Sequence, residues 1–208
     1  MVAMAVEYLP PELEDVLWLN ELPKRPLTVE DLERIWERMP DSGYRFELDE
    51  GVLVVYGAPS LLHQLASSRL TTILTIACPP ELLVLHTPGV VFTPTQFRIP
   101  DLTVLHTSKV TPEMRHYPYP PALAVEIASP STSRYDQTRK KQVYAEFGIP
   151  DYWIITPDAD KPDITAYQLA GKDYEQVSYA KGKATFAATR PFPVSFTPEE
   201  LVATCSPS

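Results

Sequence analysis

The chain has 208 residues, a length that suits one domain and buries a core without metal or disulfide staples. With 44% hydrophobic and 22% charged residues it has an ordinary globular composition, and no apolar run approaches the roughly 18 residues of a membrane-spanning helix. The net charge of −9 argues against a protein that grips nucleic acid by overall basicity, because phosphate neutralisation dominates such affinity; it leaves room for an enzyme that meets phosphates through a local basic patch and divalent ions.

Residues 1–26 are acidic and Pro-containing and read as an N-terminal extension or short helix. Glu7, Glu12, Glu14 and Asp15 come with no early Lys or Arg, so a signal peptide is not expected. Thr28 with Asp31 three residues on forms a capping-box signature, and Leu32, Ile35, Trp36 and Met39 follow at helical spacing, predicting an amphipathic helix over 28–39. Residues 43–56 read as a hairpin: Phe46 and Leu48 alternate up to Asp49-Glu50-Gly51, and Leu53-Val54-Val55-Tyr56 return. Ser60 caps a second helix with Leu62, Leu65, Ala66, Ile73 and Leu74 on its apolar face, ended by Pro79-Pro80. Short apolar strands are then expected over 82–85, 90–97, 102–105 and 122–128, followed by a helix over 134–147 that Gly148 and Pro150 stop. Residues 152–155 form another buried strand, and 163–187 read as a β-meander turning at Gly171-Lys172 and Lys181-Gly182. Helices alternating with strands around a mixed sheet place the chain in the α/β class as one domain over 1–208.

The two cysteines, Cys78 and Cys205, have neither metal-ligand spacing nor a disulfide framework; they read as free thiols of a reducing compartment, hence a cytoplasmic location. Proline is frequent, 23 residues, and asparagine occurs at Asn20 alone, a bias that fits heat adaptation or GC-rich coding equally.

Two carboxylates stand where an apolar strand would not choose them. Asp101 heads the run Leu102-Thr103-Val104-Leu105, and Glu126 interrupts Ala124-Val125 and Ile127-Ala128. An ionised carboxylate in such a setting is costly unless paired or bound to metal. Hard oxygen ligands suit Mg²⁺, which takes one or two carboxylates and fills its other positions with water and phosphate oxygens. The structural alternative pairs Glu126 with Arg98 or Arg139 and lets Asp101 cap a turn. In the next helix Asp136, Lys140 and Tyr144 are four residues apart and share a face, so Lys140 points toward the core edge while Lys141 faces water. A surface Asp136–Lys140 pair is the bland reading; an inward ammonium beside the Glu126 strand, ready to stabilise charge on a phosphate, is the functional one. Tyr144, Tyr152 and Trp153 read as core aromatics. His63 either approaches the site from the helix start or bonds to water or backbone at a helix end. No Gly-rich phosphate loop or Gly-x-Ser-x-Gly elbow occurs, and His63, His86, His106 and His116 lack zinc spacing.

Ile99-Pro100-Asp101, then Val125-Glu126-Ile127-Ala128-Ser129-Pro130-Ser131-Thr132, then Asp136, Lys140, Tyr144 and Gly148-Ile149-Pro150-Asp151-Tyr152-Trp153-Ile154 form an ordered string. It resembles the Uma-type family of restriction endonucleases within the PD-(D/E)XK nuclease superfamily, over roughly residues 28–157. The resemblance implies a restriction-endonuclease-like core of helix, three strands, helix and strand, with the helix and hairpin before it and the meander after it. By the same resemblance Asp101 is the first acid and Glu126 the second. The superfamily lysine normally stands two residues after the second acid, where this chain has Ala128; the family supplies it from the helix, here Lys140. The Ile127 backbone carbonyl is a further metal ligand by the resemblance. A first-helix acid is absent from 60–77, and Glu47 on the hairpin either replaces it or is an exposed strand residue.

These expectations amount to an endonuclease that uses Mg²⁺, with Mn²⁺ substituting, to hydrolyse nucleic-acid phosphodiesters, DNA above all. A homodimer or higher homo-oligomer is the default assembly. The alternative is an inactive nuclease-fold module that binds a protein or nucleic-acid partner, which the charge of −9 and Ala128 favour.

Overall fold

The computed structural model describes residues 22–39, 43–128 and 136–203. Residues 1–21 of the expected extension, Cys205, and the stretch 129–135 with the Ser129-Pro130-Ser131-Thr132 motif and the start of the expected helix lie outside the described residues, as does the side chain of Asp136. The elements run α1 (Val29–Arg38), β1 (Arg45–Asp49), β2 (Val52–Tyr56), α2 (Leu61–Ala77), β3 (Leu82–His86), β4 (Val90–Thr93), β5 (Gln96–Arg98) and β6 (Leu102–His106). They continue with β7 (Leu123–Ile127), a π-helical turn (Asp136–Lys140) leading into α3 (Lys141–Glu146), β8 (Asp151–Thr156), β9 (Asp163–Ala170), β10 (Asp173–Lys181), β11 (Phe186–Ala188), β12 (Val194–Phe196) and α4 (Pro198–Val202). They group into two compact units. The first holds the described residues up to Pro59 with Gly89–Ile99 and His116–Tyr119; the second holds Ser60–Pro88, Pro100–Arg115 and the described residues from Pro120 on.

In the first unit, α1 starts where its sequence says. The Thr28 hydroxyl accepts from the Asp31 N–H, and the Asp31 carboxylate accepts from the Thr28 N–H at 2.9 Å, which serves two otherwise unpaired backbone donors. Leu32 and Ile35 are buried, and Trp36 meets the Phe97 ring edge-on at 5.4 Å. The β1–β2 hairpin turns on Glu50 and Gly51, both at positive φ, and a Cβ on Gly51 would stand 2.4 Å from the Pro26 side chain. The sheet order is β2-β1-β5-β4. The strand expected over 90–97 is instead two short antiparallel strands, β4 and β5. Pro94 has no N–H to continue a ladder, and the Thr93 hydroxyl accepts from the Thr95 N–H at 3.2 Å, closing a turn inside the apolar run.

The second unit is built on a six-stranded sheet in the order β10-β9-β8-β7-β6-β3. Neighbours are antiparallel except β7 and β8, which are parallel, so the chain between them must cross over, and α3 lies in that connection. The sequence of α2, β3, β6, β7, α3 and β8 is the expected helix, three strands, helix, strand around a mixed sheet. Strand alternation sends Leu102, Val104, Leu123, Val125, Ile127, Trp153 and Ile155 into one core. Ala66, Leu70 and Leu74 of α2 and Leu201 and Val202 of α4 pack there, and Phe186 of the β11–β12 hairpin meets Trp153 edge-on at 5.1 Å. Away from that core, Tyr144 of α3 meets Tyr152 at 5.2 Å, and the Tyr174 hydroxyl donates to the Ile149 carbonyl at 2.6 Å. Burial pushes the Tyr174 phenol well above its ordinary pKa.

The expected water-facing Lys141 is half-buried, its ammonium 3.8 Å from the centre of the Tyr167 ring, and burial lowers its pKa. A long aliphatic stem covers apolar surface while the charge finds a π face, so angular position on a helix did not decide this lysine's environment. Of the meander expected over 163–187, β9 and β10 form an antiparallel pair that turns at Gly171-Lys172. After Lys181-Gly182 the chain leaves that sheet, and β11 pairs with β12 in a separate two-stranded sheet instead of extending the meander. Among the described residues, no helix is long and apolar enough to cross a membrane.

Candidate active site

Strand β7 sets the site. Its alternate residues Leu123, Val125 and Ile127 belong to the core, so Ala124 and Glu126 point to the opposite face. Leu102 of β6 pairs with Val125, which puts Asp101, one residue before the strand, at the level of Glu126. The Ile127 N–H donates to Asp101 Oδ2 at 2.8 Å, fixing the first acid against the residue that follows the second. Both carboxylates are nearly inaccessible, Asp101 at 2% and Glu126 at 1%.

The π-helical turn and α3 bring the remaining groups. Lys140 Nζ donates to Glu126 Oε2 at 2.7 Å, and the Tyr144 hydroxyl donates to Glu126 Oε1 at 2.5 Å. Lys140 is itself 1% exposed, so this is a buried, charge-assisted contact and not a surface pair. A wide turn that ends on a functional residue is a common place for a π-helical segment. Asp101 has a further neighbour in His63, whose Nε2 lies 3.2 Å from Oδ2.

The structure therefore brings Asp101, Glu126 and Lys140 together in one unit. Glu126 takes Lys140 as its ion-pair partner, whereas Arg98 belongs with Glu47 and Asp49, at 3.5 and 2.9 Å. Glu47 lies in the first unit and is fully buried, not an exposed strand residue; the Ile99 N–H donates to it at 3.1 Å and Arg45 stands 4.0 Å away. Tyr144 gained more than the sequence suggested, and His63 takes up the first of the two places open to it. Tyr144 is the buried aromatic expected, but its hydroxyl is bonded to the second acid, and its position four residues after Lys140 was the available signal. His63 is anchored by its backbone to the cap residue Ser60 and by its ring to the first acid.

The donor set fits a hard divalent cation. Two carboxylates from adjacent strands, with the Ile127 carbonyl alongside in the chain, are oxygen donors of the kind Mg²⁺ accepts, and Mg²⁺ asks for no more than one or two carboxylates from protein. Among the described residues no group of three or more His, Cys, Asp or Glu is placed to hold a metal.

The α/β fold and the acid, acid, lysine set together define a restriction-endonuclease-like protein. The sequence family described as "Uma2: Putative restriction endonuclease" matches residues 30–203, and the chain belongs to that family. Its fold is similar to a crystal structure from Anabaena variabilis ATCC 29413 described as "a putative nuclease belonging to DUF820". That chain is 18% identical, with a TM-score of 0.66 over 85% of this chain and 98% of its own. No curated protein matches the sequence.

Proposed function

We propose that this chain is a divalent-metal-dependent endonuclease acting on DNA, with Asp101 and Glu126 as the cation's protein ligands, the Ile127 carbonyl as a third, and Lys140 as the catalytic ammonium. The observation that carries the reading is the Lys140–Glu126 contact of 2.7 Å, made beside an Asp101 carboxylate that accepts from the Ile127 N–H. Mg²⁺, or Mn²⁺ in its place, would supply Lewis acidity toward a phosphoryl oxygen and a more acidic bound water. The chain's own residues do the rest. Asp101 is held at Oδ2 so that its side chain keeps one orientation. Lys140 holds a positive charge beside the second acid, where it can stabilise negative charge developing on an attacked phosphate. Tyr144 fixes the rotation of the Glu126 carboxylate. Glu47, buried among Arg98, Arg45 and the Ile99 N–H, is given an ion-pairing role in the first unit and no part in this proposal. The protein is further proposed to act in the cytoplasm as a homodimer or higher homo-oligomer, since one such centre addresses one strand.

The test is Mg²⁺-dependent cleavage of plasmid and single-stranded DNA by wild type, Asp101→Asn and Glu126→Gln, with folding followed by circular dichroism. Both variants are expected to fold and to lose cleavage by at least about 100-fold, the usual scale for removing a group aimed at developing charge. Undiminished cleavage in either variant sinks the assignment. The second reading, a non-catalytic module that binds a partner, draws on the net charge of −9; it gains if wild type binds neither Mg²⁺ nor Mn²⁺ at millimolar concentration.

A further inference from the structure

We propose that His63 is a positioning residue of this site, holding the Asp101 carboxylate in the orientation that receives the divalent cation; the inference rests on the metal-dependent reading above. The ring nitrogen Nε2 lies 3.2 Å from Asp101 Oδ2, and the side chain is 12% exposed. The other ring nitrogen, Nδ1, is buried with no hydrogen-bond partner among the described residues. Neither helix capping nor core packing explains a ring placed this way. The cap is served by backbone, since the His63 N–H donates to the Ser60 hydroxyl at 3.2 Å, and an apolar side chain would fill the space without stranding a polar atom. What the ring adds is one directed bond. An ionised carboxylate only accepts, so a hydrogen must sit on Nε2; in the neutral ring Nδ1 is then a bare acceptor, which is less costly to leave unserved than a donor.

The same residue is clamped from two further elements. The Ile127 N–H at the end of β7 donates to Oδ2 at 2.8 Å. The Thr87 N–H, just after β3, donates to the Asp101 backbone carbonyl at 3.0 Å. Thr87 makes that bond from a φ of 48°, a left-handed conformation that a β-branched residue rarely adopts. A helix start, a strand end and a strained connection thus converge on Asp101. Outer partners of this kind set the direction of a ligand's lone pairs, and losing one typically costs about 10–100-fold in metal affinity.

The experiment compares wild type, His63→Ala and His63→Gln as full chains. Gln carries an amide N–H at a reach similar to Nε2 and serves as the conservative rescue. Mn²⁺ affinity is measured by titration calorimetry and folding by thermal denaturation. His63→Ala is expected to bind Mn²⁺ about ten-fold more weakly or worse, and His63→Gln to return within about three-fold of wild type, a pattern that packing alone does not produce. Wild-type Mn²⁺ affinity in His63→Ala overturns the proposal, as does a Gln variant no better than Ala. Should His63→Ala fail to fold, the imidazole ¹⁵N spectrum of the metal-free wild type decides: a hydrogen on Nε2 supports the bond to Asp101, and one on Nδ1 alone overturns it. Wild type that binds no divalent ion ends the metal-dependent reading itself, an outcome distinct from a His63 variant that binds as wild type does.

Discussion

Lys140 has exchanged water for a strong counter-charge, and the exchange has consequences that can be measured. A buried ammonium and carboxylate each lose several kcal/mol of hydration, which their mutual attraction offsets only while both are present. Removing one partner leaves the other buried and uncompensated, a loss of about 3–5 kcal/mol, whereas replacing both by well-packed apolar groups of similar volume is often close to neutral. Lys140→Met is therefore expected to lose about 3 kcal/mol in urea denaturation of the metal-free protein, and Lys140→Met combined with Glu126→Gln to recover part of it, since the uncompensated charge is gone but the buried amide loses a partner. Equal losses in the single and double variants would show that the 2.7 Å contact is not an energetic pair. Asp101 and Glu126 were legible in the sequence because a charge in an apolar run has few innocent explanations, and Lys140 because its spacing from Tyr144 turns it inward from a charged stretch. The role of the Tyr144 hydroxyl was not, since an aromatic ring at an inward position fits a core and a site equally well, and His63 was left between the site and a helix end; in both, only the partner of the polar atom decides. Glu47 was half legible: its strand was expected, but that Arg98 and the Ile99 N–H would hold its carboxylate in a buried cluster depends on β5 lying beside β1.

Elements were legible where local chemistry dictates them and obscure where pairing does. The start of α1 follows from Thr28 and Asp31 alone, and the same carboxylate also accepts from Arg25 at 2.6 Å. The Arg25 guanidinium, with the Thr28 donors, holds the Asp31 carboxyl at about 2, against an ordinary value near 3.8. A depressed carboxyl stabilises the fold above its unfolded pKa, and that stabilisation disappears as pH falls through the folded value. Asp31→Asn is thus expected to cost about 1 kcal/mol at neutral pH, the scale of a cap contact. The gap to wild type should close as pH falls from about 4 to about 2, which urea midpoints across that range would record. A gap that persists at pH 2 would mean the charge of Asp31 is not what α1 uses. By contrast, the run over 90–97 carries the apolar content of one strand, and the turn at Pro94 shows only in the β4–β5 pairing. The π-helical turn before α3 was equally invisible, because the spacing of Lys140 and Tyr144 suits a plain α-helix.

At the scale of the whole molecule the awkward quantity is charge: 27 acidic residues against 18 basic ones give −9, and a nucleic-acid duplex approaches a net repulsive field. Family membership says nucleic acid; composition says that any grip on it must be local. A cation shared between Asp101, Glu126 and a phosphate would reconcile the two, since it supplies at one point the positive charge the surface lacks. The consequence is a binding isotherm with little salt dependence and strong dependence on divalent ions. Each phosphate neutralised by Lys or Arg contributes about 0.9 to the slope of log affinity against log salt concentration. With Ca²⁺ present, the expected slope for a short DNA duplex is shallow, about −1 to −4, and chelation should weaken binding about ten-fold or more. Fluorescence anisotropy of a labelled duplex between 50 and 300 mM KCl, roughly the range over which such slopes are read, measures both. The Asp101→Asn, Glu126→Gln double variant should show the chelated affinity whether or not Ca²⁺ is added. A slope near −8, or affinity indifferent to divalent ions and to those two carboxylates, would place the contact on an extended basic surface, and the partner-binding module would then be the better description.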